Sequence, residues 1–439
     1  MAPTTTRKTL MSDSISSKCV CIVDNGLFFS LALALSQQFN KNGFGRVLYC
    51  TQWDEQYPAL AECVSGDGFE SVERCDDYMR HVDDINLFCF PQRGLIGPQL
   101  LLEKMGKRVL GSRTGTELEI YRTRLRKLQA KLGMDVPDYV MVRGITALRK
   151  HLRPLSDKWI KTDRFRKDME TWHWLDWGQS EANLDKLAVK FGPFRELVAF
   201  MVEDPIDTDL EIGADCLCVD GKIASHAING VECKDKSYVA FLKKYSDMPA
   251  EISAVLDPLM PTLKEMRYRN FLSTEQRVKG NFNCLTDLTP RAGYPSANCQ
   301  WALYGNLPEL VWHAAAGELI PIEPTASVAI ECLIDHNDDE RDWRGMRLPD
   351  EVLPWIAPLN PCLMDGVHYT PPNDVQDTCI GSLIGIGNSI KEAKEHIAEN
   401  AEMLSGLPLT VHLDTLESLE DELEEANKEG IELAEKPKD

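Results

Sequence analysis

The sequence predicts an α/β protein in which a parallel, Rossmann-like layer leads and a small, mostly-β domain closes the chain. Three observations support this. Short apolar strands alternate with helical stretches over residues 18–112, the spacing of a parallel sheet with crossover helices. Paired strands joined by turns follow over the middle of the chain, at Asp220-Gly221 and within 272–291. From about residue 320 the texture turns to short strands, turns and many prolines. A chain of 439 residues exceeds what one compact core holds, so several domains are expected.

Taken in order, KCVCIVD (18–24) is the first strand, ending in Asp24-Asn25-Gly26 and followed by a helix through Gln38. RVLYCT (46–51), INLFCF (85–90) and KRVLGS (107–112) continue the series. The phosphate-cradling pattern G-x-G-x-x-G is absent after the first strand, which argues against a dinucleotide site there. Residues 116–132 carry no Pro or Gly and predict one helix, begun near Thr114 or Thr116 and ended by Gly133. DYVMVRG then reads as a strand, ITALRKHL as a helix and KWIKTD (158–163) as a strand entering the basic loop RFRKD. LVAFMVED (197–204) is an apolar strand ending in two acids. A hairpin over 210–230 turns at Asp220-Gly221. A helical region near 250–266 precedes the strand pair LSTEQRVKGNFNCLTDLTPR (272–291). IGSLIGIGNSIKEAKEHI gives a late strand and an amphipathic helix, and the acidic tail spaces Leu416, Leu419 and Leu423 as on a helix face.

Forty-eight basic and 69 acidic residues leave a formal charge of −21, which disfavours binding to a nucleic-acid backbone. No apolar run approaches the length of a bilayer span. The fourteen cysteines include two C-x-C pairs and no C-x-x-C, so side-by-side packing in strands is favoured over zinc. Residues 1–17 are Ser/Thr-rich and lack an early apolar core; they are expected to be a disordered leader, with a transit peptide as the alternative. Free thiols in the cytoplasm are the default expectation.

Four features carry chemistry in this order: the basic helix with Lys127, the strand lysine Lys161, the acids Glu203-Asp204 with Glu211 after them, and Glu275 and Asp287 on adjacent strands. Thr289 and Arg291 follow the last of these. Buried lysines can hold a triphosphate as point charges. A strand-to-linker junction such as VEDPI offers backbone groups to adenine, and Glu211 can accept from ribose hydroxyls. Two carboxylates on facing strands can bracket magnesium, which takes hard oxygen ligands at about 2.0–2.1 Å. The register of the helix leaves Arg124 and Arg126 as alternatives to Lys127. RFRKD fits a solvated basic loop as well as a phosphate cover, and Arg291 fits a structural partner of the acids as well as a catalytic role. His173, His226 and the cluster WHWLDW (172–177) fit packing roles best.

On these residues the sequence resembles the ATP-grasp superfamily, and within it the phosphoribosylamine–glycine ligase family, over most of 18–412. KTD (161–163) is similar to that family's second ATP-binding lysine strand, VEDPIDTDLEIGAD to its adenine linker and ribose-binding acid, and Glu275 with DLTPR (287–291) to its metal-binding acid and E-x-N-x-R segment. The resemblance implies an ATP-grasp fold: a leader at 1–17, a pre-ATP domain at 18–112, an ATP-grasp domain at 113–325 with a lid at about 138–205, a C-terminal domain at 326–412 and an acidic tail at 413–439. It implies an enzyme using ATP and Mg²⁺ or Mn²⁺ to join a small carboxylate to an amine through an acyl phosphate. Lys161 and Arg291 would be catalytic. Lys127, Lys161, Arg164, Arg166, Lys167, Glu203, Asp204 and Glu211 would hold the nucleotide, and Glu275, Asp287 and Thr289 the metal. The sequence departs from the family at four places. Thr289 replaces the usual Asn, RFRKD a glycine-rich loop, VDNGLFFS a glycine-rich substrate motif, and AGYPSAN an acidic segment. The family's own substrates are therefore not carried over. A non-catalytic ATP-binding module that recruits a partner through its tail is the alternative.

Overall fold

The computed structural model describes residues 14–51, 65–164, 170–208, 210–234, 236–337, 344–370 and 378–434. The N-terminal sheet holds β1 (Cys19–Asp24), β2 (Arg46–Thr51), β3 (Glu73–Arg74), β4 (Leu87–Cys89) and β5 (Arg108–Leu110), with helices α1 (Phe29–Leu35) and α2 (Ile96–Lys104). The strands run parallel in the order β3-β2-β1-β4-β5. All six residues of β1 are buried, as expected of a central parallel strand covered on both faces.

The single helix expected over 116–132 is two helices, α3 (Glu117–Ile120) and α4 (Arg122–Lys131), broken where Tyr121 turns extended. The break has a tertiary cause. The backbone N–H of Arg122 donates to the Asp163 carbonyl at 3.2 Å and that of Thr123 to the Asp163 carboxylate at 2.8 Å. Asp163 thus caps α4 from forty residues away. No local signal announces such a cap.

A four-stranded antiparallel sheet follows, built from β6 (Tyr139–Arg143), β7 (Lys158–Thr162), β8 (Thr171–Trp174) and β9 (Ala199–Glu203) in the order β6-β9-β7-β8. Helices α5 (Ile145–Leu152) and α6 (Trp177–Phe191) pack on it. Trp172 and Trp174 sit in that core. His173 pairs with Asp157 at 2.7 Å and stacks on Trp159, while His226 contacts Ser225.

The largest sheet begins with β10 (Glu211–Val219), β11 (Lys222–Ile223), β12 (His226–Cys233) and β13 (Ser237–Lys244). After α7 (Ala250–Glu265) come β14 (Arg269–Lys279) and β15 (Phe282–Thr289), then α8 (Ala297–Leu303) and α9 (Leu307–Ala316). β16 (Val328–His336) continues the sheet. A satellite of β17 (Arg344–Met346), β19 (Cys362–Met364) and β20 (Val367–Thr370) interrupts the chain around β18 (Ile356–Pro358), before β21 (Cys379–Gly387), α10 (Ile390–Glu402), β22 (Leu409–Val411) and α11 (Leu416–Lys428). The main path runs β15-β14-β10-β12-β13-β16-β21-β18, so strands from both sides of residue 326 share one sheet. The Asp220-Gly221 turn has φ of 48° and 76°, the left-handed geometry that a tight hairpin needs. Leu416, Leu419, Leu423 and Ala426 of α11 join the core beside α7 and β12.

Twelve described cysteines are free thiols. Cys362 is disulfide-bonded, which departs from the expectation of free thiols throughout. Among the described residues no helix is long and apolar enough to cross a membrane.

Candidate active site

Strand alternation creates the acidic face. Along β14, Leu272, Thr274, Gln276 and Val278 are buried while Ser273, Glu275 and Arg277 are half-buried on the opposite side. The β14–β15 ladder sets Glu275 opposite Asp287 and Ser273 opposite Thr289, with a bulge just after Glu275. On the other flank β10 sets Glu211 opposite Arg277 and Gly213 opposite Glu275. Burial, and then the charges of Asp287 and Glu211, push the Glu275 carboxyl up to about 8. Two carboxylates held together in a partly dry cleft repel each other unless a cation intervenes.

Among the described residues no three Asp, Glu, His or Cys side chains form a complete metal cage. The donors present suit a different arrangement. Two facing carboxylates supply the hard oxygens that magnesium takes from protein when phosphates and water complete its shell. Glu275 and Asp287 would be those ligands, with the Thr289 side chain two residues farther along the same face.

Next to this face lies a buried cation cluster. Lys161 Nζ is 2.6 Å from Glu203 Oε2, and Arg126 Nε is 2.6 Å from Glu203 Oε1. Arg126 and Glu203 are each 3% exposed. Burial raises the Glu203 carboxyl, but the charges of Lys161 and Arg126 outweigh it and hold the group at about 2. Burial lowers the Lys161 ammonium against the pull of Glu203. One carboxylate therefore positions two cations.

The sequence-predicted residues divide accordingly. Lys161, Glu203, Asp204, Glu211, Glu275 and Asp287 line one cavity, and Glu211, Glu275, Asp287, Thr289 and Arg291 line a second. Lys127 is not brought in: it lies exposed on the outer side of α4, and Arg126 is the cation that turns inward. The Tyr121 break sets that register. Glu203 acts as an ion-pair anchor, with its backbone paired to strands on both sides. The linker begins at Asp204, whose N–H donates to the Asp138 carbonyl at 2.9 Å and whose carboxylate pairs with Lys158 at 2.7 Å. Arg164 is exposed, its guanidinium 5.4 Å from the Tyr121 ring centre. Arg166 and Lys167 lie outside the described residues.

Each cavity has a volume of about 300 Å³. They share Glu170, Glu211, Glu275, Arg277 and Asp287. The first adds Arg122, Trp159 and Ile206 to Lys161, combining cations with flat apolar surface. The second is walled by Arg93, Arg291, Tyr294, Ser296 and Asp215. Arg93 Nη1 and Arg291 Nε approach the same Glu119 oxygen at 3.4 and 3.3 Å, so one buried carboxylate orients two guanidiniums. Asp215 accepts from Ser296 Oγ at 2.7 Å and Tyr238 Oη at 3.1 Å, while burial keeps its pKa raised. Sequence reading missed Arg93, Glu119, Arg122, Arg126, Trp159 and Asp215. Arg126 alone had a signal, as an alternative to Lys127.

No protein-family model matches the chain, and no curated protein matches it. Solved structures do. The phosphoribosylamine–glycine ligase of Thermotoga maritima superposes with a TM-score of 0.67 at 16% identity, covering 90% of this chain and 97% of its own. The biotin carboxylase domain of the 2-oxoglutarate carboxylase from Hydrogenobacter thermophilus, solved with MgADP, ADP and bicarbonate, gives 0.63 at 13% identity, covering 94% and 98%. The N5-carboxyaminoimidazole ribonucleotide synthetase of Thermus thermophilus gives 0.57 at 14% identity, covering 89% and 99%. The fold is the ATP-grasp fold that the sequence resembles.

Proposed function

We propose that the chain is an ATP-dependent ligase that joins a carboxylate to an amine, with ATP in the Lys161 cavity and the reacting substrates in the Arg291 cavity. The observation that carries this reading is the meeting of the two cavities at Glu275 and Asp287, with preset cations on each side. Magnesium held by these two carboxylates supplies fixed positive charge against the phosphates. Lys161 and Arg122 bind the phosphate chain, and Glu203 orients Lys161 so that little rearrangement is needed as charge develops. Trp159 and Ile206 flank the adenine beside the Asp204 linker, and Glu211 accepts from ribose. Arg164, Arg166 and Lys167 belong to the segment that covers the phosphates.

Arg291, oriented by Glu119, holds the substrate carboxylate in line with the γ-phosphate. A carboxylate oxygen takes the γ-phosphoryl group, the bond to the bridging β–γ oxygen breaks, and ADP leaves. The amine nitrogen then attacks the acyl carbon, the acyl–oxygen bond breaks, phosphate departs and the extra proton on nitrogen passes to solvent. No enzyme nucleophile is needed. Thr289 offers a hydroxyl rather than an amide oxygen to the metal face, a weaker ligand that leaves Glu275 and Asp287 as the principal donors.

Incubation with ATP, Mg²⁺ and a pool of carboxylates and amines tests the proposal. ADP release that depends on both co-substrates is the expected result. Tight ATP binding with no ADP release from any pool would instead leave a nucleotide-binding module without ligase chemistry.

A further inference from the structure

A cavity of about 480 Å³ lies outside the site described above, and among the described residues it shares no lining side chain with either cavity there. It is enclosed by α1, the end of α8 and the turn Leu353–Trp355 before β18. Its walls are aromatic, with Phe39, Trp301, Tyr304 and Trp355 all lining it. The rim is fastened. A Ser36–Phe44 bridge closes the loop after α1. Within that loop Asn40 Nδ2 donates to the Gly305 carbonyl at 3.3 Å, which ties the segment carrying Lys41 to the chain after α8.

Two independent features of this cavity point to a ligand. The first is an orphaned donor. Trp301 is 7% exposed, and its ring is fixed edge-to-face against Phe28 and Phe271, with centroids 5.4 and 6.4 Å away. Its buried indole N–H meets no acceptor among the described residues, although a buried tryptophan ordinarily finds one. The polar groups beside it are already engaged: Ser30 Oγ donates to Asn298 Oδ1 at 2.8 Å, and Asn298 Nδ2 to Glu331 Oε1 at 2.8 Å. The second feature is charge. The chain has 69 acidic residues, yet none of the described residues lining this cavity is acidic, and Lys41 is the one charged side chain among them. Lys41 is exposed, and among the described residues no acid pairs with it.

We infer that this cavity is a second binding site, for a small aromatic carboxylate. The ring would lie among Phe39, Tyr304 and Trp355, where aromatic contacts favour a flat ligand over an aliphatic one. The carboxylate would accept from the Trp301 indole, a stronger bond than a neutral acceptor makes, and its charge would be met by Lys41. A volume of about 480 Å³ is in the range of small-molecule pockets. Water alone satisfies the indole but uses neither the aromatic walls nor the lysine. The inference does not depend on the ligase reading, because the two sites are built from different residues.

Calorimetric titration of the full chain, loaded with Mg²⁺ and a non-hydrolysable ATP analogue, tests the site with two probes, 2-naphthoate and its neutral counterpart 2-naphthamide. 2-Naphthoate is expected to bind with a Kd of about 1 mM or tighter, and roughly tenfold more tightly than the amide. W301F keeps a ring and removes the N–H, and should weaken 2-naphthoate roughly tenfold. K41E, at an exposed position that the fold does not need, should reverse the preference for the anion at low ionic strength. R291Q should leave binding unchanged, since Arg291 belongs to the other site. The inference is overturned if 2-naphthoate does not bind, if the two probes bind equally, or if W301F and K41E both leave binding intact. Loss of binding in R291Q with retention in K41E would place the probe in the other site and overturn it equally. Should W301F fail to fold, K41E decides alone. No turnover is measured, so failure here leaves the ligase proposal standing.

Discussion

Asp287 and Glu275 face each other across the β14–β15 ladder, and the Asp287 charge adds to burial in raising the Glu275 carboxyl. Asp287→Asn removes one charge while keeping the side chain's size. If the pair exists to hold magnesium, the variant should lose turnover by about a hundredfold or more and yet melt within a few degrees of the parent, or above it. Full activity in this variant would refute the metal assignment. The cation cluster gives a second contrast between neighbours. Arg126 is buried against Glu203, so Arg126→Ala leaves that buried carboxylate with Lys161 alone and should destabilise the protein by about 1–3 kcal/mol. Lys127 is exposed, and Lys127→Ala should change stability by no more than about 0.5 kcal/mol and leave ATP binding intact. Urea titration with nucleotide-binding measurements on both variants decides which residue of the helix serves the site.

The short helix α4 owes its start to a residue on another element. Asp163 at the end of β7 accepts from the Thr123 N–H at 2.8 Å and from the Thr123 hydroxyl. Asp163→Ala should cost about 1–2 kcal/mol, as loss of an N-cap does, and should weaken ATP binding because Lys161 and Arg126 lie on the two elements it joins. Unchanged nucleotide affinity would show that the cap has no part in placing these cations. This cap also explains what the sequence could and could not convey. β1, β2, β6, α5 and the Asp220-Gly221 hairpin were legible because local pattern and turn chemistry decide them. The break at Tyr121 was not, since no Pro or Gly marks it and the capping group is distant. The same reason hid Arg93 and Glu119: Arg93, after β4, pairs with Glu119 of α3, which also meets Arg291 after β15, and nothing in either segment distinguishes these residues. Glu275, Asp287 and Lys161 were legible as charges on strands that otherwise alternate or bury.

Helices α1 and α8 are joined to the large sheet by a buried polar network centred on Glu331 of β16. Asn298 Nδ2 of α8 donates to its Oε1 at 2.8 Å, the Ser382 hydroxyl of β21 donates to the same oxygen, and Ser30 Oγ of α1 donates to Asn298 Oδ1 at 2.8 Å. Burial pushes the Glu331 carboxyl up to about 8, so at neutral pH it is held as the acid. The sign of its effect follows from linkage. A carboxyl whose folded pKa lies above its unfolded value of 4.5 stabilises the fold fully below that value. The contribution declines as pH rises toward about 8, by roughly 1.4 kcal/mol per pH unit. Glu331→Gln keeps the shape and removes the titration. Its unfolding free energy, compared with that of the parent from pH 5 to 8, should lack this slope, so that the difference between the two proteins changes steadily with pH. A constant difference across the range would show that Glu331 is ionised in the folded protein. The junction of α1, α8 and β21 would then rest on a buried charge rather than on a neutral hydrogen-bonded acid.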